Sequence, residues 1–292
     1  MTAPPAAARV AVVIVNYQSY QDLQDCLASL GPFDPAIHVC VVDHASKREA
    51  ADAIERAFPH VRLLRQQANE GFAAGVNRGA RESGAPYVVL LNPDCVASPD
   101  TCRRLAAWMD AHQRVGAAGP RILNSDGSVQ PSARRFPDFT TAIAGRSSWL
   151  TRVFPRNPLS RHNLAPSHDR SDEARTVDWV SGAAMIIRRT AFAAVGGFDE
   201  GFFLYWEDAD FCRRLKHAGW NTVYVPQLSV KHAGGRSSRH AADTSLVAFH
   251  RSAFRLFWKH ATPGTKLLAP LVIAALRARL AFMRRVVRRR GH

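Results

Sequence analysis

The amino-acid sequence predicts an α/β fold with a largely parallel sheet, followed by a basic helical extension at the C-terminus. Over the first 120 residues, β-branched runs alternate with amphipathic segments, which is typical of successive strand–helix–strand units. The charge is also uneven: residues 231–292 contain 14 Lys and Arg side chains and one acid, in a chain whose net charge is +15. The first 230 residues are therefore close to neutral.

Four strands and four helices are predicted to alternate in the first half of the chain. The predicted strands are Val10–Val15, Ile37–Asp43, Val61–Arg65 and Tyr87–Leu91. The predicted helices are Asp22–Leu30, Arg48–Phe58, Glu70–Ser83 and Pro99–His112. Asn or Asp residues gather where three of the strands end, and open α/β sheets bind ligands at that edge. We expect a ligand of nucleotide size there.

The second half of the chain is less regular. Residues 126–175 are rich in Pro, Ser, Arg and His and are predicted to form a long loop or insert over the site. Regular patterns return in Val177–Arg188, in a short helix at Thr190–Val195, in an acidic helix, and in a final strand at Thr222–Val225.

Composition excludes several classes of protein. Five scattered cysteines without a CxxC pair indicate neither a zinc site nor a disulfide framework, and they fit a reducing compartment. The first eight residues lack the basic and apolar regions of a signal peptide. The longest apolar run, Leu267–Leu276, has about half the length of a membrane span. We expect a cytoplasmic protein in which no segment crosses a bilayer.

The acidic helix, within Gly196–Trp220, is the most informative segment. Glu207, Asp208 and Asp210 lie in its first turn, basic residues fill its last turns, and Gly219 is suited to a left-handed cap. One interpretation is that the acids only complement the helix dipole. The other is that three close carboxylates beside aromatic side chains include a partly desolvated base or form a metal site.

Candidate ligand-binding residues also follow the predicted strands. Asp43 can accept a hydrogen bond from the N3–H of a pyrimidine, although a strand-terminal Asp is also a common turn former. Asp94, after Asn92 and Pro93, is placed to bind a divalent metal that bridges a diphosphate. A lone histidine is more often not a ligand, so His232 is a candidate only if the fold brings it near Asp94.

The Gly-rich stretch Asn69–Gly79 has two interpretations. Its glycines would let the backbone approach a phosphate or ribose closely, or they would serve only the turn and helix start.

Seven segments of this chain form a specific pattern when their order is considered, although each one alone is a weak signal. They are VIVNYQS, VVDHAS, NEGFAAGVNRG, LLNPD, WVSGAAMIIRR, GGFDEGFFLYWEDADFCRRLKHAGW and His232. Together they resemble glycosyltransferase family 2, and most closely its rhamnosyltransferase-like branch. The resemblance covers roughly residues 9–235 and implies the GT-A fold, with a Rossmann-like nucleotide-binding half and a mixed-sheet acceptor half.

The resemblance also implies a domain organisation. The GT-A domain would occupy residues 1–235, with the nucleotide-sugar part at about 9–120 and the acceptor part at about 121–235. The basic amphipathic extension would occupy residues 236–292.

Roles follow for the matching positions. The resemblance implies a divalent metal, Mg²⁺ or Mn²⁺, held by Asp94 and His232, and it implies Asp208 as the catalytic base. The positions implied to bind the donor are Asn16, Asp43, Asn69, Gly75, Asn77, Asn92 and Asp94. The residues expected to contact the acceptor, unless they belong to the core, are Trp179, Tyr205, Trp206 and Glu207. Two positions depart from the family pattern: His44 replaces a usual Asn, and Asn92 replaces an Asp of many relatives.

The implied reaction is a single displacement that inverts the anomeric carbon. A metal would stabilise the leaving diphosphate, and Asp208 would deprotonate the acceptor hydroxyl. The chain lacks the QxxRW motif of processive relatives, so we expect addition of one sugar. The best candidate is L-rhamnose from dTDP-rhamnose, moved to a cell-envelope glycan or lipid-linked saccharide. A UDP-hexose or galactofuranose donor is the alternative.

The C-terminal segment Lys266–Arg290 is predicted to form a basic amphipathic helix or helix pair. Such helices bind anionic membrane surfaces, which would place the enzyme on the inner face of the cytoplasmic membrane. The alternative is a solvated or oligomer-forming helix. A non-catalytic protein that binds nucleic acid or membrane through this arm is the rival from another class. It leaves Asp94, Asp208 and His232 without a role, so we expect no nucleic-acid partner.

Overall fold

The computed structural model describes residues 8–45, 47–136, 171–233 and 242–290. Within these ranges the strands are β1 (Val10–Asn16), β2 (Ile37–His44), β3 (Arg62–Gln66), β4 (Tyr87–Leu91), β5 (Cys95–Val96), β6 (Val115–Leu123), β7 (Val129–Gln130), β8 (Ala133–Arg134), β9 (Arg175–Val177), β10 (Trp179–Val180), β11 (Ala184–Arg188) and β12 (Asn221–His232). The helices are α1 (Tyr20–Ser29), α2 (Arg48–Ala57), α3 (Phe72–Arg81), α4 (Pro99–Ala111), α5 (Arg189–Ala194), α6 (Glu207–His217), α7 (Ala242–His260), α8 (Pro263–Lys266) and α9 (Ala269–Arg290).

A mixed sheet forms the centre of the molecule, with the strand order β3-β2-β1-β4-β11-β6-β12-β5. The first four strands of this order are parallel. Strand β11 then runs antiparallel to both β4 and β6, while β12 runs parallel to β6 and antiparallel to β5. Strands β7 and β9 pair with β6 and β12, and β8 pairs with β10 in a separate sheet. The predicted α/β fold with a mixed-sheet second half is confirmed.

Apolar side chains are buried on both faces of this sheet. In β1, Val12 and Ile14 belong to one core cluster, whereas Val13 belongs to the other. Helices α1, α2 and α4 contribute to the first cluster, and α3, α5 and α6 to the second. Strands covered on both faces read as continuous apolar runs, which explains why the parallel half could be recognised from sequence.

The predicted helices and strands of the first half are confirmed to within two residues at each end. Other parts of the sheet were not predicted, or were predicted only in part. Strand β6 was missed because its first residues are small, and this is a packing requirement: a Cβ on Gly119 would lie 2.7 Å from Val180 Cβ. Strand β12 continues seven residues beyond Val225, because a register shift against β6 between Val225 and Ser229 takes up Pro226.

The C-terminal helices pack on the rest of the protein. Leu256 of α7 is buried in the same cluster as Phe211 and Leu215 of α6, and α9 packs against α7. The domain boundary expected near residue 235 stays a prediction. Most of the insert expected at 126–175 lies outside the described residues. Among the described helices, none is both long enough and apolar enough to span a bilayer.

Candidate active site

Asn16 and Asp43 form a buried pair at the carboxyl ends of β1 and β2. The two residues face each other in the β-ladder, and Asn16 Nδ2 donates to Asp43 Oδ1 at 2.7 Å. Tyr20 donates its hydroxyl to Asp43 Oδ2 at 3.1 Å, and burial together with Asp43 raises the pKa of this phenol. These donors orient the Asp43 carboxylate at the carboxyl edge of the sheet. Tyr20 was missed by sequence reasoning, although it stands only four residues after Asn16.

The residues expected along the donor make contacts within the protein. Asn69 Oδ1 accepts from Gly71 N at 3.0 Å, and both ends of the Asn77 amide bond to the backbone of Phe198 at 2.8 Å. These two asparagines thus support the loops around α3. Whether they also contact a donor stays a prediction.

Gly75 is required by close packing between α3 and the sheet. A Cβ at this position would lie 2.7 Å from Val15 Cγ1 and 2.9 Å from His44 Nε2. The buried His44 ring, with Nδ1 3.1 Å from Ala68 O, therefore occupies the space beside Gly75. A donor contact at Gly75 stays a prediction too.

Asp94 and His232 come together through the pairing of β5 with β12. His232 lies opposite Cys95 in that ladder, and Ala233 N donates to Asp94 O at 3.0 Å. As a result, His232 Nε2 is 3.0 Å from Asp94 Oδ1, and both side chains are buried. Asn92 Nδ2 approaches the same ring nitrogen at 3.3 Å.

A hydrogen-bond chain determines which nitrogen of His232 faces Asp94. Asn124 Nδ2 donates to Ser128 Oγ, and Asn124 Oδ1 accepts from Gln130 Nε2 at 3.1 Å. The amide oxygen of Gln130 therefore faces His232 Nδ1, at 2.7 Å, and that nitrogen is the donor. In a neutral ring, Nε2 then presents its lone pair to the Asp94 carboxylate.

This donor set fits a divalent metal ion. Two acceptor atoms 3.0 Å apart repel each other unless a proton or a metal cation lies between them, and two neighbouring ligands of an octahedral Mg²⁺ are separated by about 3.0 Å. Cys95 is the third residue of the cluster, but its thiol donates to Ala183 O at 3.1 Å, and burial raises its pKa well above the usual range. The remaining carboxylate and imidazole suit Mg²⁺ or Mn²⁺.

Asp208 is the second residue of α6, and this helix begins directly after two residues with left-handed backbone. Tyr205 has φ of 67° and Trp206 has φ of 70°, and such strain often marks functional sites. Asp208 Oδ2 accepts from Gly182 N at 3.0 Å, and Oδ1 accepts from Ala209 N at 2.8 Å. Burial raises the pKa of Asp208 against the effect of these donors. A raised pKa moves a carboxylate toward the range where it acts best as a general base.

The connection between β10 and β11 joins the Asp208 region to the Asp94 region. Gly182 contacts Asp208, and the next residue, Ala183, accepts from Asn92 N at 2.9 Å. The candidate base thus contacts Gly182, and the backbone of Asn92, two residues before the candidate metal ligand Asp94, contacts the adjacent Ala183.

Glu207, Trp206 and Trp179 surround the start of α6. Burial and the neighbouring Asp208 raise the pKa of Glu207 well above its usual range. Within the described part of the chain, Glu207 Oε2 and Trp206 Nε1 are buried without a hydrogen-bond partner. The two Trp rings lie 6.2 Å apart, and the Arg134 guanidinium stacks 5.0 Å from the centre of Trp179.

Asp210, the third acid of the cluster, has a different role. It is fully buried and accepts from Arg214 Nε, Lys259 Nζ and His260 Nε2 at 2.8–3.0 Å. Burial alone would raise its pKa, but these three donors outweigh burial and lower the pKa to about 2. Asp210 therefore ties α7 to α6. Sequence reasoning missed this function because two of the partners, Lys259 and His260, lie 49 and 50 residues away.

Comparisons with known proteins show which family this chain resembles. The family model described as "Glycosyl transferase family 2" matches residues 11–194. A relative from Mycobacterium tuberculosis, named "N-acetylglucosaminyl-diphospho-decaprenol L-rhamnosyltransferase", is 36% identical over 83% of this chain and 82% of its own length.

The chain belongs to glycosyltransferase family 2.

This glycosyltransferase is also similar to other enzymes. "Rhamnosyltransferase WbbL" of Escherichia coli is 25% identical over 62% of this chain and 65% of its own length. The model named "N-terminal domain of galactosyltransferase" matches residues 169–236.

Two solved structures share the GT-A fold of this glycosyltransferase. The mannosyltransferase PcManGT from Pyrobaculum calidifontis, in complex with GDP-Man and Mn²⁺, has a TM-score of 0.56 and 18% identity, covering 96% of this chain and 76% of that one. GalNAc-T7 with UDP, GalNAc and Mn²⁺ has a TM-score of 0.55 and 15% identity, covering 78% of this chain and 44% of that one.

Proposed function

We propose that this glycosyltransferase moves one sugar from a nucleotide-diphosphate sugar to a hydroxyl group, with inversion at the anomeric carbon and with a divalent metal ion. The best candidate is L-rhamnose from dTDP-rhamnose, and the acceptor is a cell-envelope glycan or lipid-linked saccharide. The names of the relatives from M. tuberculosis and E. coli support the sugar. The M. tuberculosis name, with its diphospho-decaprenol, supports a lipid-linked acceptor.

One observation carries the proposal: Gly182 N bonds to Asp208 while Ala183 O bonds to Asn92 N. The reaction needs a base for the acceptor on one side of the anomeric carbon and ligands for the donor diphosphate on the other side. The contacts of Asp208 and of the Asn92 backbone with adjacent residues support that arrangement.

The mechanism follows from the side chains. Asp94 and His232 would hold the metal ion, which supplies positive charge to stabilise the leaving nucleoside diphosphate. Asn16 and Asp43 would bind the base of the nucleotide. Asp208, oriented by Gly182 N, takes the proton from the acceptor hydroxyl while the oxygen of that hydroxyl attacks the anomeric carbon. Because the base acts directly on the acceptor, one displacement inverts the configuration.

The acceptor site is assigned to the residues around Asp208. Glu207 and Trp206 each bury a polar atom without a partner among the described residues, and buried polar groups are normally paired. The hydroxyl groups of a saccharide would satisfy both atoms, while the half-buried Tyr205 offers a ring for stacking. Trp179 is 5% exposed and belongs to a core cluster, so its ring supports the acceptor site from within the core. A lipid-linked saccharide would bring the enzyme to a membrane. We place it on the inner face of the cytoplasmic membrane, bound through its C-terminal helices.

A UDP-sugar donor, for hexosyl or galactofuranosyl transfer, is the second candidate, favoured by the galactosyltransferase model that matches residues 169–236. The test is thermal unfolding with dTDP or UDP, each with and without Mn²⁺. Metal-dependent stabilisation that is larger with dTDP is the expected result. A preference for UDP would change the sugar and keep the reaction class. No stabilisation by either nucleotide would refute the proposed donor site.

A further inference from the structure

One side of α9 carries an exposed apolar stripe. Leu271 and Phe282 are 66% and 45% exposed, and Leu267, just before the helix, is 81% exposed. Leu271, Ala274, Ala278 and Phe282 follow one another at intervals of three or four residues, so they lie on one face, and all four are exposed. Contiguous apolar surface of this kind marks an interaction site.

The opposite side of α9 is fixed against α7. Arg279 lies 3.0 Å from His250 Nε2, and its guanidinium stacks 5.1 Å from the centre of the Phe249 ring. Arg284 forms two hydrogen bonds with Asp243, at 2.6 and 2.7 Å. These contacts set the rotation of α9 about its axis, and they direct the apolar stripe away from the protein.

The charge around the stripe is positive. The α9 segment contains seven arginines and no acid. Two of these arginines, Arg277 and Arg285, are exposed: Arg285 continues the stripe beyond Phe282 and Arg277 flanks it. At the other end, Trp258 of α7 is 47% exposed, with Lys266 Nζ 5.0 Å from its ring centre. Apolar side chains bordered by Trp, Lys and Arg are typical of helices that lie in a membrane interface.

We propose that the α9 stripe binds the anionic surface of a lipid bilayer, with the helix axis in the plane of the membrane. The inference deepens the proposed function and rests on its lipid-linked acceptor. A second copy of the chain is the less suitable occupant, because a symmetric contact through α9 would bring arginines against arginines. Anionic head groups complement the same arginines, and the acyl boundary takes up the leucines and Phe282.

This orientation brings the acceptor site close to the bilayer. Phe249, covered by Arg279 of α9, lies 5.4 Å from the Trp206 ring and 5.8 Å from the Tyr205 ring. The inner side of α9 is therefore separated from the acceptor aromatics by one ring of α7. A sugar attached to a lipid through a short linker would reach Asp208 without leaving the membrane surface.

The experiment is flotation of the full chain with vesicles of phosphatidylcholine, either alone or with 30% phosphatidylglycerol, about the anionic content needed for electrostatic binding. The test variant combines Leu271→Asp with Phe282→Asp. The matched control is Phe33→Asp, which changes a phenyl ring that is 60% exposed elsewhere on the protein. No sugar nucleotide is present, so the outcome is independent of the nucleotide-binding test above.

We expect the wild type and Phe33→Asp to bind anionic vesicles equally, and the double variant to bind at least about tenfold more weakly. Binding by the double variant at the wild-type level would overturn the inference. Failure of the wild type to bind anionic vesicles would also overturn it. The same holds if the wild type is a dimer that binds no vesicles and the double variant is a monomer. If the double variant melts early, Arg277→Glu with Arg285→Glu replaces it, since both side chains are exposed, with the same expectation.

Discussion

His232 Nδ1 lies 2.7 Å from Gln130 Oε1, and this contact turns the other ring nitrogen toward Asp94. Gln130 belongs to β7, a strand of two residues that pairs with β6. A metal-binding histidine generally donates its second N–H to an acceptor that fixes its tautomer. Gln130 has that position here.

Replacing Gln130 with Leu is expected to weaken Mn²⁺ binding by about 10- to 100-fold, because His232 loses the acceptor that orients it. Binding is measured by the electron paramagnetic resonance signal of free Mn²⁺. Gln130→Glu keeps an acceptor and should retain most of the affinity, and Gln113→Leu changes an exposed glutamine as the control. An unchanged affinity in Gln130→Leu would argue against His232 as a ligand.

Asp208→Asn is expected to lower the rate of sugar transfer by about 10²- to 10⁴-fold, since an amide cannot take the acceptor proton. Donor binding should stay close to normal, because Asp208 contacts the acceptor side. Single-turnover transfer and nucleotide titration measure the two effects separately. Asp126→Asn, at an exposed turn, is the control. A variant that keeps most of its turnover would exclude Asp208 as the base.

Asp210→Asn is expected to lower the free energy of unfolding at pH 7 by about 2 kcal/mol, because the pKa of Asp210 is lowered to about 2 in the folded protein. A carboxyl group whose pKa is lower in the folded state stabilises the fold at pH values above its unfolded-state pKa, which is near 4. That contribution disappears as the pH falls from about 4 toward 2. Urea unfolding at pH 7, 4 and 2.5 should therefore show the wild type and the variant converging. A difference that does not depend on pH would contradict this assignment.

Phe249→Ala is expected to raise the KM for the acceptor about tenfold and to leave the KM for the donor unchanged. Phe249 is the ring that supports Tyr205 and Trp206 from α7. Steady-state kinetics with each substrate varied in turn provides the measurement. Phe254→Ala removes a half-buried ring from the same helix and serves as the control. Equal acceptor KM values in both variants would show that Phe249 only stabilises the fold.

The local elements of the parallel half could be predicted, because its central strands β1, β2 and β4 are largely apolar runs. Strand β6 could not be predicted, because its small residues are required by close packing against Trp220 and Val180, which are distant in sequence. The same distinction applies to the site. The Asp208 helix and Asp94 carry local patterns, whereas Gln130 and the partners of Asp210 become visible only when residues distant in the chain meet. The order of the family motifs indicated the roles of Asp94, Asp208 and His232, which periodicity alone could not indicate.

The pairing of β5 with β12 has a consequence for the order in which the protein is made. Asn92 and His232 are 140 positions apart, and β12 is the last strand of the sheet to leave the ribosome. The strands that carry Asn16 and Asp43 are already synthesised before residue 45, so the nucleoside pocket can assemble early. The histidine that would help hold a metal arrives only when most of the chain has been translated. On the proposed function, a nascent chain acquires the residues that would recognise a base long before it acquires those that would activate a diphosphate.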